Sequence, residues 1–304
     1  AGRPIEGERK SKDRGIAIFN RKNHLCNGLT LSHFQEIASK ASHLPVKLLR
    51  SEWISTFTIH RRCASQMRVG NAFLLGDAAH IHSPVGGQGL NTSVQDAFNL
   101  AWKIALVHQG IAPETLLDSY EQERLPIAKA VLESTSQATK VLTSGILKKL
   151  LFPLLRPLIS TPCVQKKLLT ALSEIGIDYK KSPIICTSSR IRGGPKPGMR
   201  APDAHLSYAG RLFQRLHPTS HTLLLFGDDP TLIEKISSEY SGVIDILHLD
   251  LQRESEAAKI YGATTSCCYL IRPDGYIAFC AKAPVAPRLL KYLKPLLRTV
   301  SERR

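Results

Sequence analysis

The segment LLGDAAHIHSPVGGQGLN, residues 74–91, contains the strongest structural signal of the chain. It opens with the end of an apolar run that begins at Ala72, and a Gly-Asp pair stops that run. After a loop rich in Pro and Gly, apolar residues return at the spacing of one helix face, at Leu90, Val94, Ala97, Ala101 and Ile104. The pattern predicts a strand, a loop and a helix over residues 88–108 that is buried on one face and ends at Gly110.

The residues of this junction suit a particular kind of ligand. Gly76 lets a bulky group approach the backbone, and Asp77 offers two acceptor oxygens to hydroxyl groups at the end of the strand. Glycines 86, 87 and 89 allow a tight loop, so that backbone N–H groups at the start of the helix can point at an electron-rich edge. We therefore expect a site for a polyhydroxyl chain joined to a group with partial negative charge.

The run GDAAHIHSPVGGQGLNTSVQDAFNLAWKIALVHQG, followed by LLDSYEQERLP, resembles the second flavin-binding motif of the single-component FAD-dependent aromatic hydroxylases, typified by para-hydroxybenzoate and phenol hydroxylases. The resemblance implies that Asp77 holds the ribityl hydroxyls of FAD and that Pro84, the candidate catalytic residue, lies beside the reactive flavin edge. It also implies that the backbone from Gly86 to Asn91 faces the pyrimidine end of the flavin and stabilises its anionic reduced form. The predicted cofactor-binding residues are Gly76, Asp77, Pro84, Gly86, Gly87, Gln88, Gly89, Leu90 and Asn91.

Two positions beside the motif depart from the family pattern. Asn71 stands where the family usually has Arg, and Ser93 stands where Gly is usual. Neither is a proposed contact. The alternative to a flavin site is a glycine-rich turn between strand and helix with no ligand. His80 and His82 suggest zinc, but two histidines with no third ligand are a weak signal, so we predict no metal and assign His80 to the loop structure.

Composition limits the class of protein. The chain has 304 residues, 43% of them hydrophobic, and a formal net charge of +16. The basic residues are scattered and no nucleic-acid module is recognisable, so we expect no nucleic-acid partner. The charge could instead favour a phosphate-bearing reductant such as NADPH, or be balanced by acidic sequence elsewhere. No apolar run spans a bilayer and the N-terminus is not signal-like, so we expect a soluble, cytoplasmic protein without stable membrane insertion.

No G-x-G-x-x-G follows a strand, and the first residue is Ala. Since the family places that phosphate-binding turn near its N-terminus, we expect this chain to be the C-terminal portion of a longer enzyme. The predicted fold class is α/β (α+β), with part of a hydroxylase-type FAD-binding fold followed by a thioredoxin-like domain. The predicted domains are the end of the substrate-binding domain (1–60), the C-terminal part of the FAD-binding domain (61–145), a helical connector and linker (146–198) and the thioredoxin-like tail (199–304).

Residues 15–143 suggest several further elements. We expect strands at residues 15–20 and 46–53 with a helix over residues 31–42, and then a second long helix from Pro113 toward residue 142 with a kink or break at Pro126. Glu121, Glu123 and Arg124 on that helix are expected to form surface pairs worth a few tenths of a kcal/mol. The basic, apolar residues 145–175 favour intramolecular packing, with an amphipathic membrane-surface segment as the alternative.

The tail shows strand and helix patterns in the order of thioredoxin, with a turn at 273–275. It resembles the C-terminal domain of phenol-hydroxylase-type enzymes. The seven cysteines include no C-x-x-C pair, and Cys267 and Cys268 are adjacent, so we expect reduced thiols and no redox role. A packing or dimerisation module is the favoured interpretation, which makes a homodimer a candidate assembly.

These observations predict an FAD-dependent, NAD(P)H-using monooxygenase that hydroxylates a small aromatic or polyketide-like substrate, and a chain that is inactive alone because the ADP half of FAD has no binding turn. The alternative of another class is a non-enzymatic remnant or dimerisation scaffold. Quinone-ring hydroxylases share the flavin motif and are a third option, against which the thioredoxin-like tail argues.

Overall fold

The computed structural model describes residues 30–41, 47–51, 60–81, 87–143, 160–187, 190–208 and 210–303. The chain divides into two compact units, residues 1–58 and 59–304. In the first unit, α1 (Leu31–Ala41) forms the helix predicted there. The side chain of Gln35 accepts the Leu48 N–H at 2.6 Å. Residues 47–51 have no regular secondary structure, so the predicted strand is wrong over this part, and its other residues and the strand at 15–20 lie outside the described residues.

The second unit begins with short antiparallel strand pairs. They are β1 (Arg62–Cys63), β2 (Arg68–Val69), β3 (Ala72–Phe73) and β4 (His80–Ile81). Strand β1 pairs with β4, and β2 pairs with β3. A 3-10 turn at Gly76–Ala78 connects β3 to β4. The helices that follow are α2 (Gly89–His108), α3 (Asp118–Thr143), which a 3-10 turn at Glu114–Leu117 precedes, and α4 (Pro162–Leu172).

Both long helices follow the prediction in extent. Helix α2 ends before Gly110, whose φ of +69° is a left-handed conformation that glycine adopts without strain. The N–H of Ile111 then bonds to the Leu106 carbonyl at 2.8 Å. Helix α3 runs through Pro126 without a break, so of the two expected outcomes the break is wrong, and the kink stays a prediction. The predicted connector is described only from residue 160, where Pro162 occupies the first position of α4.

Helix α2 buries the face opposite to the predicted one. The apolar stripe is exposed, and its largest members, Leu90, Val94 and Ile104, are 75%, 45% and 41% accessible. The buried face contains Thr92, Asp96, Asn99, Lys103, Leu100, Trp102 and Leu106. Four of these are polar and meet polar partners on other elements, which is what allows them to be buried. The prediction of one buried face is thus confirmed, but the face is the wrong one.

The tail contains a four-stranded sheet of β7 (His221–Phe226), β8 (Ile244–Leu249), β9 (Cys267–Ile271) and β10 (Ile277–Lys282). The strands lie side by side in the order β10-β9-β7-β8. Strand β8 is parallel to β7, whereas β9 and β10 are antiparallel to their neighbours. The element order is the predicted one: β7, α5 (Pro230–Glu239), β8, α6 (Ser255–Tyr261), β9, β10 and α7 (Ala286–Leu293). A small hairpin of β5 (His205–Leu206) and β6 (Gly210–Arg211) precedes the sheet, with 3-10 turns at Leu212–Gln214 and Val300–Arg303.

Each face of this sheet contributes to its own core. On β7, Leu223 and Leu225 belong to one cluster while Leu224 and Phe226 belong to the other, as the period of a strand requires. The first cluster also contains Trp102 and other residues of α2, together with residues 179–185 and helices α5 and α7. A continuous core therefore joins α2 to the tail. The boundary between the connector and linker (146–198) and the tail (199–304) stays a prediction.

None of the helices in the described residues is long and apolar enough to cross a bilayer.

Candidate functional site

The predicted polyol-binding residues form a tight turn. Gly76 begins the 3-10 turn, is buried and has a φ of +57°. A Cβ at this position would lie 3.0 Å from the Oγ atom of Ser93 on α2, so the turn packs directly on the first turns of that helix. Asp77 is exposed. Its carboxylate is accessible beside the start of α2, as a group that accepts hydrogen bonds from ligand hydroxyls requires.

The predicted flavin-facing backbone lies at the N-terminus of α2. Gly87 has a φ of +64°, and Gln88 is the N-cap residue of the helix. Gly89, Leu90 and Asn91 form the first turn, whose N–H groups have no acceptors within an α-helix. The N-terminus also carries partial positive charge. It is therefore suited to an electron-rich ligand edge. Pro84 and Gly86 lie outside the described residues.

One buried carboxylate joins the turn to the helix. Asp96 accepts the Gly76 N–H at 3.0 Å and lies 2.7 Å from Nε2 of His80, both through Oδ2. Its Oδ1 accepts from Nε of Arg124 at 2.6 Å. Burial alone would raise the pKa of Asp96, but the bonds from His80 and Gly76 and the charge of Arg124 hold it below its ordinary value. Asp96 is therefore a carboxylate under neutral conditions, and His80 belongs to a strand and a buried pair rather than a loop.

Arg124 extends this network in two directions. Its Nη2 donates to the Thr92 carbonyl at 3.1 Å, and its Nη1 donates to the Tyr179 hydroxyl, also at 3.1 Å. The Arg124 side chain is fully buried. Burial also raises the pKa of Tyr179, which keeps this phenol neutral. Since the guanidinium fork satisfies three acceptors at fixed angles, Arg124 holds the first turns of α2 in one position relative to α3.

A second buried network connects α3 to the tail. Glu123 accepts from Nζ of Lys103 at 2.8 Å and from Nη1 of Arg272 at 2.6 Å. Arg272 also pairs with Asp274. Burial alone would raise the pKa of Glu123, but the charges of Arg272 and Lys103 keep it well below its usual range. Burial lowers the pKa of Lys103 to about 8, against the attraction of Glu123. Two cations and two carboxylates thus compensate one another.

The predicted surface pairing of α3 is wrong for these residues. Glu123 and Arg124 are buried ions, and only Glu121 is partly accessible, where it accepts the N–H groups of Met67 and Arg68. A signal for the buried networks exists in the sequence: Thr92, Asp96, Asn99 and Lys103 recur at helical spacing opposite the apolar stripe of α2. A polar stripe on a helix is normally predicted to face solvent. The spacing therefore does not show that these residues are buried unless their partners on other elements are known.

Comparisons with known proteins agree with this architecture. A family model described as an FAD binding domain matches residues 17–135, and a model of the C-terminal region of aromatic-ring hydroxylases matches residues 194–299. A flavin-dependent monooxygenase of Mycobacteroides abscessus is 36% identical over 82% of this chain and 46% of that protein. Pentachlorophenol 4-monooxygenase of Sphingobium chlorophenolicum is 37% identical over 74% of this chain and 45% of that protein. The chain spans about half the length of these curated relatives.

Solved structures show the same likeness. BexE, studied for oxidation in BE-7585A biosynthesis, has a TM-score of 0.68 and 30% identity, covering 89% of this chain and 54% of that one. CabE, an aromatic hydroxylase from angucycline biosynthesis, has a TM-score of 0.66 and 29% identity, covering 93% of this chain and 56% of that one. The motif, the α/β fold and the two matched models together establish that this chain belongs to the family of FAD-dependent aromatic-ring hydroxylases.

Proposed function

We propose that this chain supplies the ribityl- and flavin-facing half of the FAD site of an NAD(P)H-using monooxygenase. The observation that carries the proposal is the Gly76–Ala78 turn, which packs on the first turns of α2 and leaves Asp77 exposed beside the helix N-terminus. In this assignment Asp77 accepts hydrogen bonds from ribityl hydroxyls, and the amides of Gly89 to Asn91 face the pyrimidine end of the flavin. Pro84 beside the reactive edge stays a prediction from the motif.

The residues present fit that half of the cofactor. An accessible carboxylate suits a chain of hydroxyls, and first-turn amides, which have no acceptor within an α-helix, suit a ring edge that gains negative charge. FAD, when bound and reduced by NAD(P)H, would supply the oxygen transfer. The chain's own contribution is to hold the ribityl chain, to orient the ring and to place fixed dipoles where charge develops. The network of Asp96 and Arg124 holds the Gly76–Ala78 turn and the start of α2 in fixed positions relative to each other.

We further propose an aromatic or polyketide-like substrate. The support is in the relatives: besides pentachlorophenol 4-monooxygenase, they include 6-methylpretetramide 4-monooxygenase of Streptomyces rimosus. We also propose that the tail is a thioredoxin-like packing module without redox chemistry. Its strand order and its buried Cys267 and Cys268 support this, and burial raises the pKa of Cys267 to about 12. A homodimer through the tail stays a prediction.

The test is a titration of the 304-residue chain with riboflavin and with FAD, followed by flavin fluorescence. We expect saturable binding, and Asp77→Ala should weaken it by about 10- to 150-fold because charge-assisted hydrogen bonds are worth about 1.5–3 kcal/mol. Asp245→Ala removes an exposed carboxylate on β8 and should leave the affinity unchanged. Equal affinity of Asp77→Ala and the parent, or no saturable binding by the parent, would contradict the proposal.

A further inference from the structure

We propose that Asp96 is a positioning residue of the flavin site, and that its ion pair with Arg124 fixes the Gly76–Ala78 turn relative to the N-terminus of α2. The inference rests on the proposed function for the role of those two parts. It adds residues that contact neither the ribityl chain nor the ring in that assignment. They would affect flavin binding indirectly, through the backbone of the residues that contact the cofactor.

The first step of the argument is the attachment of the turn. The Gly76 N–H donates to Oδ2 of Asp96 at 3.0 Å, and Gly76 is bonded directly to Asp77 in the chain. Movement of the Gly76 peptide therefore moves the Asp77 carboxylate. His80, which follows the turn, lies 2.7 Å from the same oxygen. The turn is thus held by one carboxylate oxygen from both of its ends.

The second step is the attachment of the helix start. Nη2 of Arg124 donates to the Thr92 carbonyl, one turn into α2, while Nε of the same guanidinium donates to Asp96. The planar fork of Arg fixes the directions of these two bonds relative to each other. A single ion pair therefore contacts the turn through Gly76 and the helix start through Thr92.

The third step is burial. The side chains of Asp96 and Arg124 have no accessible surface, and that of His80 has 2%. Water does not compete for these bonds at such positions, so the geometry is held more firmly than a surface pair would hold it. Bonds of this kind keep supporting residues of a binding site in place, since small displacements of a contact group reduce affinity.

Asp96→Asn separates the two attachments with little change in volume. The amide has one acceptor oxygen and one NH₂ group, and three donors face it in the parent. If the oxygen faces the charged Arg124, the NH₂ group faces the Gly76 N–H, and the turn loses its acceptor. The reverse orientation places the NH₂ group against the buried Arg124 guanidinium, so that two donors face each other, and this destabilises the folded protein more. We therefore expect the variant to keep the Arg124 bond and release Gly76.

Two measurements test this in the full chain: hydrogen exchange of the peptide containing Gly76, followed by mass spectrometry, and riboflavin affinity by fluorescence. In Asp96→Asn we expect about 10-fold faster exchange at the turn and about 5- to 10-fold weaker binding. Glu123→Gln is the matched control, because it is an equally buried carboxylate that does not contact the turn. It should lower stability while the folded protein keeps the parent's exchange at the turn and its riboflavin affinity.

If Asp96→Asn does not fold, Arg124→Lys tests the positioning role instead. Lys keeps the buried charge and can reach Asp96, but it lacks the fork that also bonds to Thr92. We expect turn exchange like that of the parent with weaker riboflavin binding. Parent-like affinity in both variants, or an equal loss in Glu123→Gln, would overturn the positioning role. If the parent binds no riboflavin, the proposed function fails, and unchanged exchange in Asp96→Asn would separately show that Asp96 does not hold the turn.

Discussion

Replacement of Glu123 by Gln should destabilise the protein by about 3–5 kcal/mol. The carboxylate accepts from Lys103 Nζ at 2.8 Å and from Arg272 at 2.6 and 3.0 Å, and all three side chains are at most 1% accessible. Asn99 and Ser182 donate to it as well. The substitution leaves two buried cations with Asp274 as the remaining anion of the cluster, so one positive charge stays uncompensated away from water.

The Lys103 ammonium sets the upper limit of this destabilisation. Without Glu123, the folded protein can relieve the excess charge if Lys103 loses its proton. The ordinary Lys pKa is 10.5, so at pH 7 this loss costs about 5 kcal/mol relative to the unfolded chain. The lower limit reflects that Gln still accepts and donates hydrogen bonds at the same place. A cost of about 3–5 kcal/mol is thus a large part of the stability of an ordinary domain.

Urea unfolding followed by tryptophan emission, to which Trp53 and Trp102 contribute, measures this change. The Trp102 indole is buried and lies 5.2 Å from the Arg272 guanidinium carbon and 5.6 Å from Lys103 Nζ, so its environment reports on the cluster directly. Glu133→Gln, an exposed change on the same helix, should cost less than about 0.5 kcal/mol. A loss below about 1 kcal/mol in Glu123→Gln would refute the argument, because it would mean that the cluster is hydrated or formed differently.

The acid dependence supplies a second signature. The folded pKa of Glu123 lies well below the ordinary value of 4.5, so its contribution to stability is fully present above that value. It is lost as the pH falls from 4.5 toward the folded pKa, because the unfolded chain then binds the proton first. Below about pH 4.5 the stability difference between parent and Glu123→Gln should therefore shrink, because only the parent loses the contribution of an ionised carboxylate there. A difference that grows as the pH falls below 4.5 would contradict this sign.

Two further predictions concern the turn and the thiols. Gly76→Ala should lower the free energy of unfolding by about 1–2 kcal/mol, since φ is +57° and the new Cβ would lie 3.0 Å from Ser93 Oγ. Adding Ser93→Gly to the same chain should recover the part of this loss that comes from the steric contact. Urea unfolding that shows no recovery would exclude the clash. Cys267 and Cys268 should not react with a thiol reagent in the folded protein, because they are buried and burial raises the pKa of each. The exposed Cys163 should react at once, so the labelled positions are identified by peptide mass spectrometry, and rapid labelling of Cys267 or Cys268 before unfolding would mean that these thiols are accessible. Cys267→Ser with Cys268→Ser should leave riboflavin affinity unchanged.

Deletion of residues 199–304 has a different expected outcome once the buried contacts are known. From the sequence alone, deletion of the tail from the complete enzyme is expected to change oligomeric state or stability while leaving some flavin reduction. In the structure, Arg272 from the tail is the partner of Glu123 on α3, and the sheet shares a core with Trp102. The truncated chain would keep Glu123 and Lys103 buried without Arg272 and would expose that core. We therefore expect the deletion to destabilise the remaining part of the compact unit formed by residues 59–304, which urea unfolding of the truncated chain would measure.

Local patterns were sufficient for the order of the elements around the Gly-Asp turn and in the sheet of the tail. The Gly-Asp turn, the start of α2 and its end before Gly110 follow from residues that are neighbours in the chain. The tail elements follow from strand and helix periods interrupted by Gly and Pro. The motif also indicated the family, because a strand end, a carboxylate and a glycine-rich loop occur there at fixed spacing. Each of these signals is complete within about twenty residues.

The buried face of α2 was decided only by tertiary structure. The helix has an apolar stripe and a polar stripe, and transfer energies considered alone favour burial of the first. Asp96 can be buried because Arg124 from α3 and the Gly76 amide meet it there, and Glu123 can be buried because Arg272, 149 residues away, supplies charge. The desolvation of an ion is acceptable only with its partner in place, and the position of that partner is a property of the folded chain.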